Sequence, residues 1–158
     1  MCARSAKGSA REHNFKTTIM FQFNLKTHRV DAAYQKPHFF ILNRGNNSGK
    51  PLSEPCPNCF VCLCESEEDK NSLFWIVYGL WQGRGFEQYF TGSVITFVHL
   101  RDFQKAISFA CGRFEGNQEE LSKKITTIQT IQLNYENIQK QLALMQQLRR
   151  SVVQNLIK

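Results

Sequence analysis

Four thiols stand within nine residues, in the run Cys56-Pro-Asn-Cys59-Phe-Val-Cys62-Leu-Cys64. Thiolates are soft ligands, and C-x2-C-x2-C-x-C spacing can be read as a zinc or iron–sulfur site. The surrounding residues argue for another use. From Cys59 the chain reads CFVCLCE, a continuous apolar run of the buried-strand type. In a strand, Cys62 and Cys64 share one face with Phe60. No second knuckle or His pair follows, and Cys111 is distant in sequence. Buried free cysteines in a strand are therefore the expectation, with a thiol-ligated metal as the alternative. Cys-Pro-x-Cys also occurs in redox motifs, but there the first Cys sits at a helix N-terminus that lowers its pKa.

A second candidate is Gly45-Asn-Asn-Ser-Gly49-Lys50. A Walker phosphate loop has four residues between its glycines and Ser or Thr after the Lys. Here three residues intervene and Pro51 follows Lys50, so a nucleotide site is not expected. Backbone amides with Arg44 and Lys50 would still suit a phosphate of a nucleic-acid backbone; the alternative is a solvated turn. Arg84, between Gly83 and Gly85, is another cation in a flexible setting. His38 and His99 fall in apolar stretches and read as core or edge residues. Glu67, Glu68 and Asp69 read as a solvated turn. With no Ser/His/Asp arrangement and no paired carboxylates at helical spacing, the chain is expected to be neither an enzyme nor a cofactor carrier.

The elements that would position these residues are legible from periodicity. Thr18–Leu25 alternates apolar and polar residues and predicts a strand, as does His38–Leu42. Residues 43–55 are rich in Gly, Asn, Ser and Pro and predict a loop. Cys59–Glu65 is the buried strand. Ser72 is expected to cap a helix in which Leu73, Ile76, Val77 and Leu80 share one face, ended by Gly83 and Gly85. Phe86–Phe90 predicts a short helical turn, Ser93–Leu100 a strand and Arg101–Ala110 a helix. From Glu119 no Gly or Pro interrupts the chain. There Ile128, Ile131, Tyr135, Ile138, Leu142, Met145, Arg149, Val152 and Leu156 alternate spacings of three and four. That is the a/d seam of a coiled coil, with Arg149 its polar member. About 39 residues make a helix of roughly 58 Å, against a body some 30–35 Å across. Much of the seam must overhang and pair with another helix; the alternative is a helix folded back as core.

The composition agrees with this layout. The chain has 158 residues, which suits one domain and an appendage. Thirteen Phe suggest an aromatic, sheet-rich interior. A net charge of +7 and a pI of about 9.2 favour a polyanionic partner. The first residues are basic but lack an apolar h-region, so no secretory signal is read. The longest apolar runs fall far below the roughly 20 residues of a membrane span. The expectation is a cytoplasmic protein with reduced thiols. The boundaries are a loose tail over 1–17, an α+β domain over 18–116 and a long amphipathic helix over 117–158. The fold class is α+β, a small mixed β-sheet with short helices followed by one long C-terminal helix.

The order of motifs carries a resemblance. Asn58-Cys-Phe-Val61 precedes Leu73-Phe-Trp-Ile-Val-Tyr-Gly-Leu80, then a turn with Phe86 and Tyr89. Thr91-Gly-Ser-Val-Ile-Thr-Phe97 and Leu100-Arg-Asp-Phe-Gln-Lys105 follow, and then the long helix. Over residues 56–158 this resembles the target recognition domain and spacer helix of type I restriction-modification specificity subunits. Those subunits have two domains and two helices where this chain has one of each. Cys111–Asn117 stands where they carry a proline-rich linker. The chain is also similar to small uncharacterised proteins of Bacteroides-type bacteria with N-x-G-K-P and L-W-Q-G signatures. The resemblance implies a bacterial, non-catalytic protein that binds double-stranded DNA and dimerises through its helix. A helix-bearing methylation or specificity subunit is the other partner it implies. Arg44, Asn46, Asn47, Lys50 and Arg84 are the candidate DNA contacts. Ile128, Ile131, Tyr135, Ile138, Leu142, Met145, Val152 and Leu156 are the candidate dimer interface. A protein-interaction or inhibitor module without DNA reading is the alternative.

Overall fold

The apolar run of thiols forms an inner strand of a four-stranded antiparallel sheet, in a computed structural model that describes residues 21–157. The expected tail over 1–17 and the start of the strand expected from Thr18 lie outside the described residues. Across the sheet the order is β1 (Phe23–Thr27), β4 (Cys59–Cys64), β2 (His38–Leu42) and β3 (Pro51–Leu52). The fold class is the expected α+β, with a sheet that is antiparallel throughout. β3 lies inside the segment expected to be loop. Pro51 cannot donate to a ladder, and it opens this two-residue edge strand, where a proline is tolerated.

Strand alternation splits β4 between two cores. Phe60, Cys62 and Cys64, with Leu25, Phe39 and Ile41 of the neighbouring strands, join the main core beneath the helices. Cys59 and Val61 face the other way with Phe40, beneath Tyr34, Leu52 and Cys56.

Helix α1 (Glu67–Gln82) starts at Ser66, six residues before the expected cap at Ser72. The Asp69 amide donates to Ser66 Oγ at 3.0 Å. Glu67, Glu68 and Asp69 occupy the first turn, where the helix dipole favours negative charge. The acidic stretch is thus the beginning of the helix rather than a turn before it. Leu73, Ile76 and Val77 are buried on the expected face. A single 3-10 turn follows at Glu87–Tyr89, inside the helical turn expected for Phe86–Phe90. Helix α2 (Leu100–Gly112) buries Phe103, whose ring packs edge-on against Phe60 and Phe86 at 5.6 and 4.7 Å.

No strand forms over Ser93–Leu100. Thr91 and Phe97 exchange two backbone hydrogen bonds of 2.9 Å, closing a tight turn. Gly92 sits there at φ +97°, and a Cβ on it would lie 2.6 Å from the Ile95 carbonyl oxygen. Val94 and Ile95 project into solvent, while Val98 is buried and its amide donates to the Asn43 carbonyl at 3.2 Å. This apolar cluster gains only isolated bridges, Phe97 to Arg44 and to Thr91. His99 consequently precedes α2 as an exposed residue instead of lying in a strand.

Helix α3 (Gln118–Ile157) has 40 residues and a length of about 60 Å. Asn117 caps it: its Oδ1 accepts from the Glu120 amide at 3.2 Å and its Nδ2 donates to Glu120 Oε2 at 2.6 Å. Leu121 and Ile125 are buried against the body, and Ile128, Gln129 and Gln132 are half-buried. Every residue from Leu133 to Ile157 is exposed. The helix therefore packs as core over its first third and projects beyond the body for the rest. Among the described residues no helix is long and apolar enough to cross a membrane.

Candidate functional site

The loop after β2 is held by backbone geometry. The Gly45 amide donates to the Thr96 carbonyl at 2.7 Å and Thr96 Oγ1 donates to the Gly45 carbonyl at 3.1 Å. Ser48, buried despite its hydroxyl, donates to the same Gly45 carbonyl through Oγ at 2.8 Å. Gly49 has φ +98°, and a Cβ there would lie 2.3 Å from the Phe86 ring. The loop is thus pressed onto the turn that follows α1. That contact brings the loop carrying Arg44, Asn46, Asn47 and Lys50 beside the turn carrying Arg84, although they are far apart in sequence. All five are exposed. Asn46 and Arg84 line one small cleft with Ser48, Phe86 and Phe90. Lys50 Nζ lies 5.5 Å from the centroid of the Trp81 ring, within cation–π range. Arg84 Nε is 3.4 Å from a Glu87 carboxylate oxygen.

Arg84 is the one non-glycine at positive φ among the described residues, at +58°. α1 ends with the Gly85 amide bonded to the Leu80 carbonyl at 2.7 Å and the Arg84 amide to that of Trp81 at 3.1 Å. That is the Schellman pattern, in which glycine usually takes the left-handed position. An arginine there costs about 1–2 kcal/mol of backbone strain. Such strain is found where a side chain has a task that outweighs stability.

The thiols are apportioned between the two sides of the sheet. Cys59 Sγ donates to the Cys56 carbonyl at 2.8 Å on one side, whereas Cys62 and Cys64 lie on the other with Cys111. Cys56, Cys59, Cys62 and Cys64 therefore do not converge on a point. No group of three metal-binding side chains is assembled among the described residues. Burial pushes the Cys59 thiol up to about 11 and that of Cys111 up to about 12. A hydrogen bond with Cys64, reinforced by burial, raises Cys62, and the same bond lowers Cys64. Buried thiols with raised values, as at Cys59, Cys62 and Cys111, are poor nucleophiles.

The candidate interface residues all lie on α3. Ile128 is half-buried beside Gly79 of its own α1. The open seam accordingly begins at Ile131, which is 63% exposed, and continues through Tyr135, Ile138, Leu142, Met145, Val152 and Leu156. Leu133, Leu144, Leu148, Val153 and Ile157 are exposed beside it; the a/d spacing had left them out, although counting every apolar residue of the helix would have found them. Sequence reasoning also missed the groove where the seam meets the body. It measures about 590 Å³ and is walled by Tyr78 and Trp81 of α1 and by Ile131 and Tyr135 of α3. The Tyr78 hydroxyl donates to Gln132 Oε1, and both residues line the groove.

An α+β body extended by a projecting amphipathic helix is the class that these observations define. The chain belongs to a family of unknown function, DUF6943, whose model matches residues 25–155. The match spans both body and seam. No curated protein and no solved structure matches the chain.

Proposed function

We propose that the protein is a non-catalytic binding module of the cytoplasm that assembles through the distal part of α3 and offers its loop face to the phosphate backbone of double-stranded DNA. The observation that carries this reading is the exposed seam. Twelve large apolar side chains between Ile131 and Ile157 are open to solvent on one helix, and a soluble monomer rarely exposes so continuous an apolar stripe. The DNA part is supported by Asn46 and Arg84 lining one cleft with Trp81, over whose ring Lys50 lies, by the exposure of Arg44 and Asn47 on the same loop, by the left-handed placement of Arg84, and by the net charge of +7. It also agrees with the likeness of the motif order to recognition domains of restriction specificity subunits.

A second reading, docking on a protein partner without DNA, is favoured by the engagement of that face's cations within the chain itself. Glu87 pairs with Arg84 and Trp81 engages Lys50.

Two measurements test the proposal. Leu142→Glu should dissociate the assembly while leaving the body folded, since Leu142 lies in the exposed stretch of α3. Fluorescence anisotropy with duplex DNA should show binding at about 50 mM salt that weakens steeply as salt rises. Lys50→Ala and Arg84→Ala should each weaken it. Absence of binding at low salt would reject the DNA part and leave the second reading.

A further inference from the structure

We propose that the occupant of the seam is a second copy of this chain, running antiparallel, with its Leu156 and Ile157 seated in the groove between α1 and α3. The inference rests on the helix-pairing reading above and adds the partner, its direction and its register.

Arg149 decides the direction. In a coiled-coil heptad, Tyr135, Leu142, Arg149 and Leu156 hold position a, and Ile131, Ile138, Met145 and Val152 hold position d. A parallel, in-register pair would stack Arg149 against Arg149 in the middle of an apolar seam. Two buried like charges without a counter-ion are strongly unfavourable. In an antiparallel pair each a layer meets a d layer. One register uses the whole open seam: Ile131 on Leu156, Tyr135 on Val152, Ile138 on Arg149 and Leu142 on Met145. The two arginines are then eleven residues apart along the axis, roughly 16 Å, which exceeds the Debye length of about 8–10 Å.

The charges along the seam agree, while Lys50, which also lines the groove, keeps its ammonium over the Trp81 ring. From Gln132 to Asn155 the flanking e and g positions hold only Gln, Asn, Leu and Val. A seam without flanking charges has no means of selecting a differently charged partner and nothing to repel its own copy. Glu136 is the only carboxylate between Leu133 and Ile157. In the antiparallel register it falls on the same flank as the partner's arginine layer, two residues from Ile138, within reach of that guanidinium. In the parallel register it is thirteen residues away.

The groove fixes where the overlap stops. Ile131 and Tyr135 form one wall of it, and Tyr78 and Trp81 the other. An antiparallel helix that places Leu156 opposite Ile131 runs Leu156 and Ile157 between those walls. There they cover aromatic surface that the seam alone would leave wet. The overlap from Ile131 to Leu156 is about 38 Å long.

The test places a benzophenone side chain in the full chain by Val152→p-benzoylphenylalanine, irradiates it and maps the crosslink after trypsin digestion. The account predicts a dimer in which the peptide Ser151–Lys158 of one copy is joined to Ile125–Lys140 of the other. Within one helix, residues 152 and 135 are about 25 Å apart, so this link arises only between chains. Joining of Ser151–Lys158 to itself would overturn the direction while leaving helix pairing standing. A monomeric mass with no link between chains would overturn the second copy as occupant. A dimer that survives Leu142→Glu unchanged would reject the pairing reading itself.

Discussion

The two ends of α3 share one amphipathic pattern and meet opposite fates. Near the body, Leu121 and Ile125 are 5% and 8% exposed; further out, Ile138 and Met145 are 60% and 68% exposed. Nothing in their chemistry distinguishes them, since both sets are aliphatic residues on a 3.6-residue period. The difference is length: the helix outruns the surface that α1 and α2 can offer. The same pattern therefore serves as core where a neighbour exists and as an open seam where the chain provides none. Burial turns an apolar stripe into stability; exposure turns it into a demand for a partner.

Truncating the two ends separates them most sharply. Ile125→Ala removes buried volume and should lower the unfolding free energy by about 2–5 kcal/mol. Ile138→Ala should change it by less than about 0.5 kcal/mol at a concentration that keeps chains apart. Urea denaturation of both variants reads the contrast. Equal losses would mean that the distal helix folds back on the body.

A pH series sharpens the same contrast, because among the described residues the thiols with raised values all lie in the body. In the folded state burial keeps Cys59 and Cys111 protonated, up to about 11 and about 12, against an ordinary 9.0. An unfolded chain releases those protons at lower pH. Their contribution is fully present below about pH 9 and is lost as pH rises toward 11–12. Denaturation midpoints should hold between about pH 7 and 8.5 and fall above 9. A midpoint that is flat up to pH 11 would show that the thiols are not buried as described.

The smallest effect belongs to the loop face. Arg84→Gly relieves the left-handed strain at the end of α1 and should raise stability by about 1 kcal/mol. It should also weaken binding of duplex DNA. Greater stability with unchanged DNA affinity would remove Arg84 from the proposed contact.

Much of this architecture was legible in the residues. β2 and β4 follow from dense apolar runs, and α3 from an uninterrupted period after Gly116. The errors arose where a tertiary partner or a cap decided the outcome. Ser66 and Asp69 form an N-terminal cap three residues apart, and their acidic neighbours belong to the first turn of α1 rather than to a break. Val94 and Ile95 have strand-forming side chains but no open ladder to join. The sequence offers Arg84, Arg44, Asn46, Asn47 and Lys50 only as separate residues. What joins them is the contact of Gly49 with Phe86, which no spacing rule contains. The groove of Tyr78 and Trp81 was hidden for a similar reason: both read as ordinary aromatic residues of α1 until α3 lies beside them.

The claim on which the account depends is that the distal half of α3 is an interface, filled by another copy. Sedimentation equilibrium of the full chain at about 10 μM tests it most directly. The account predicts a species of twice the 18.3 kDa chain mass, reduced to 18.3 kDa by Leu142→Glu. A wild-type chain that sediments at 18.3 kDa under those conditions would contradict it.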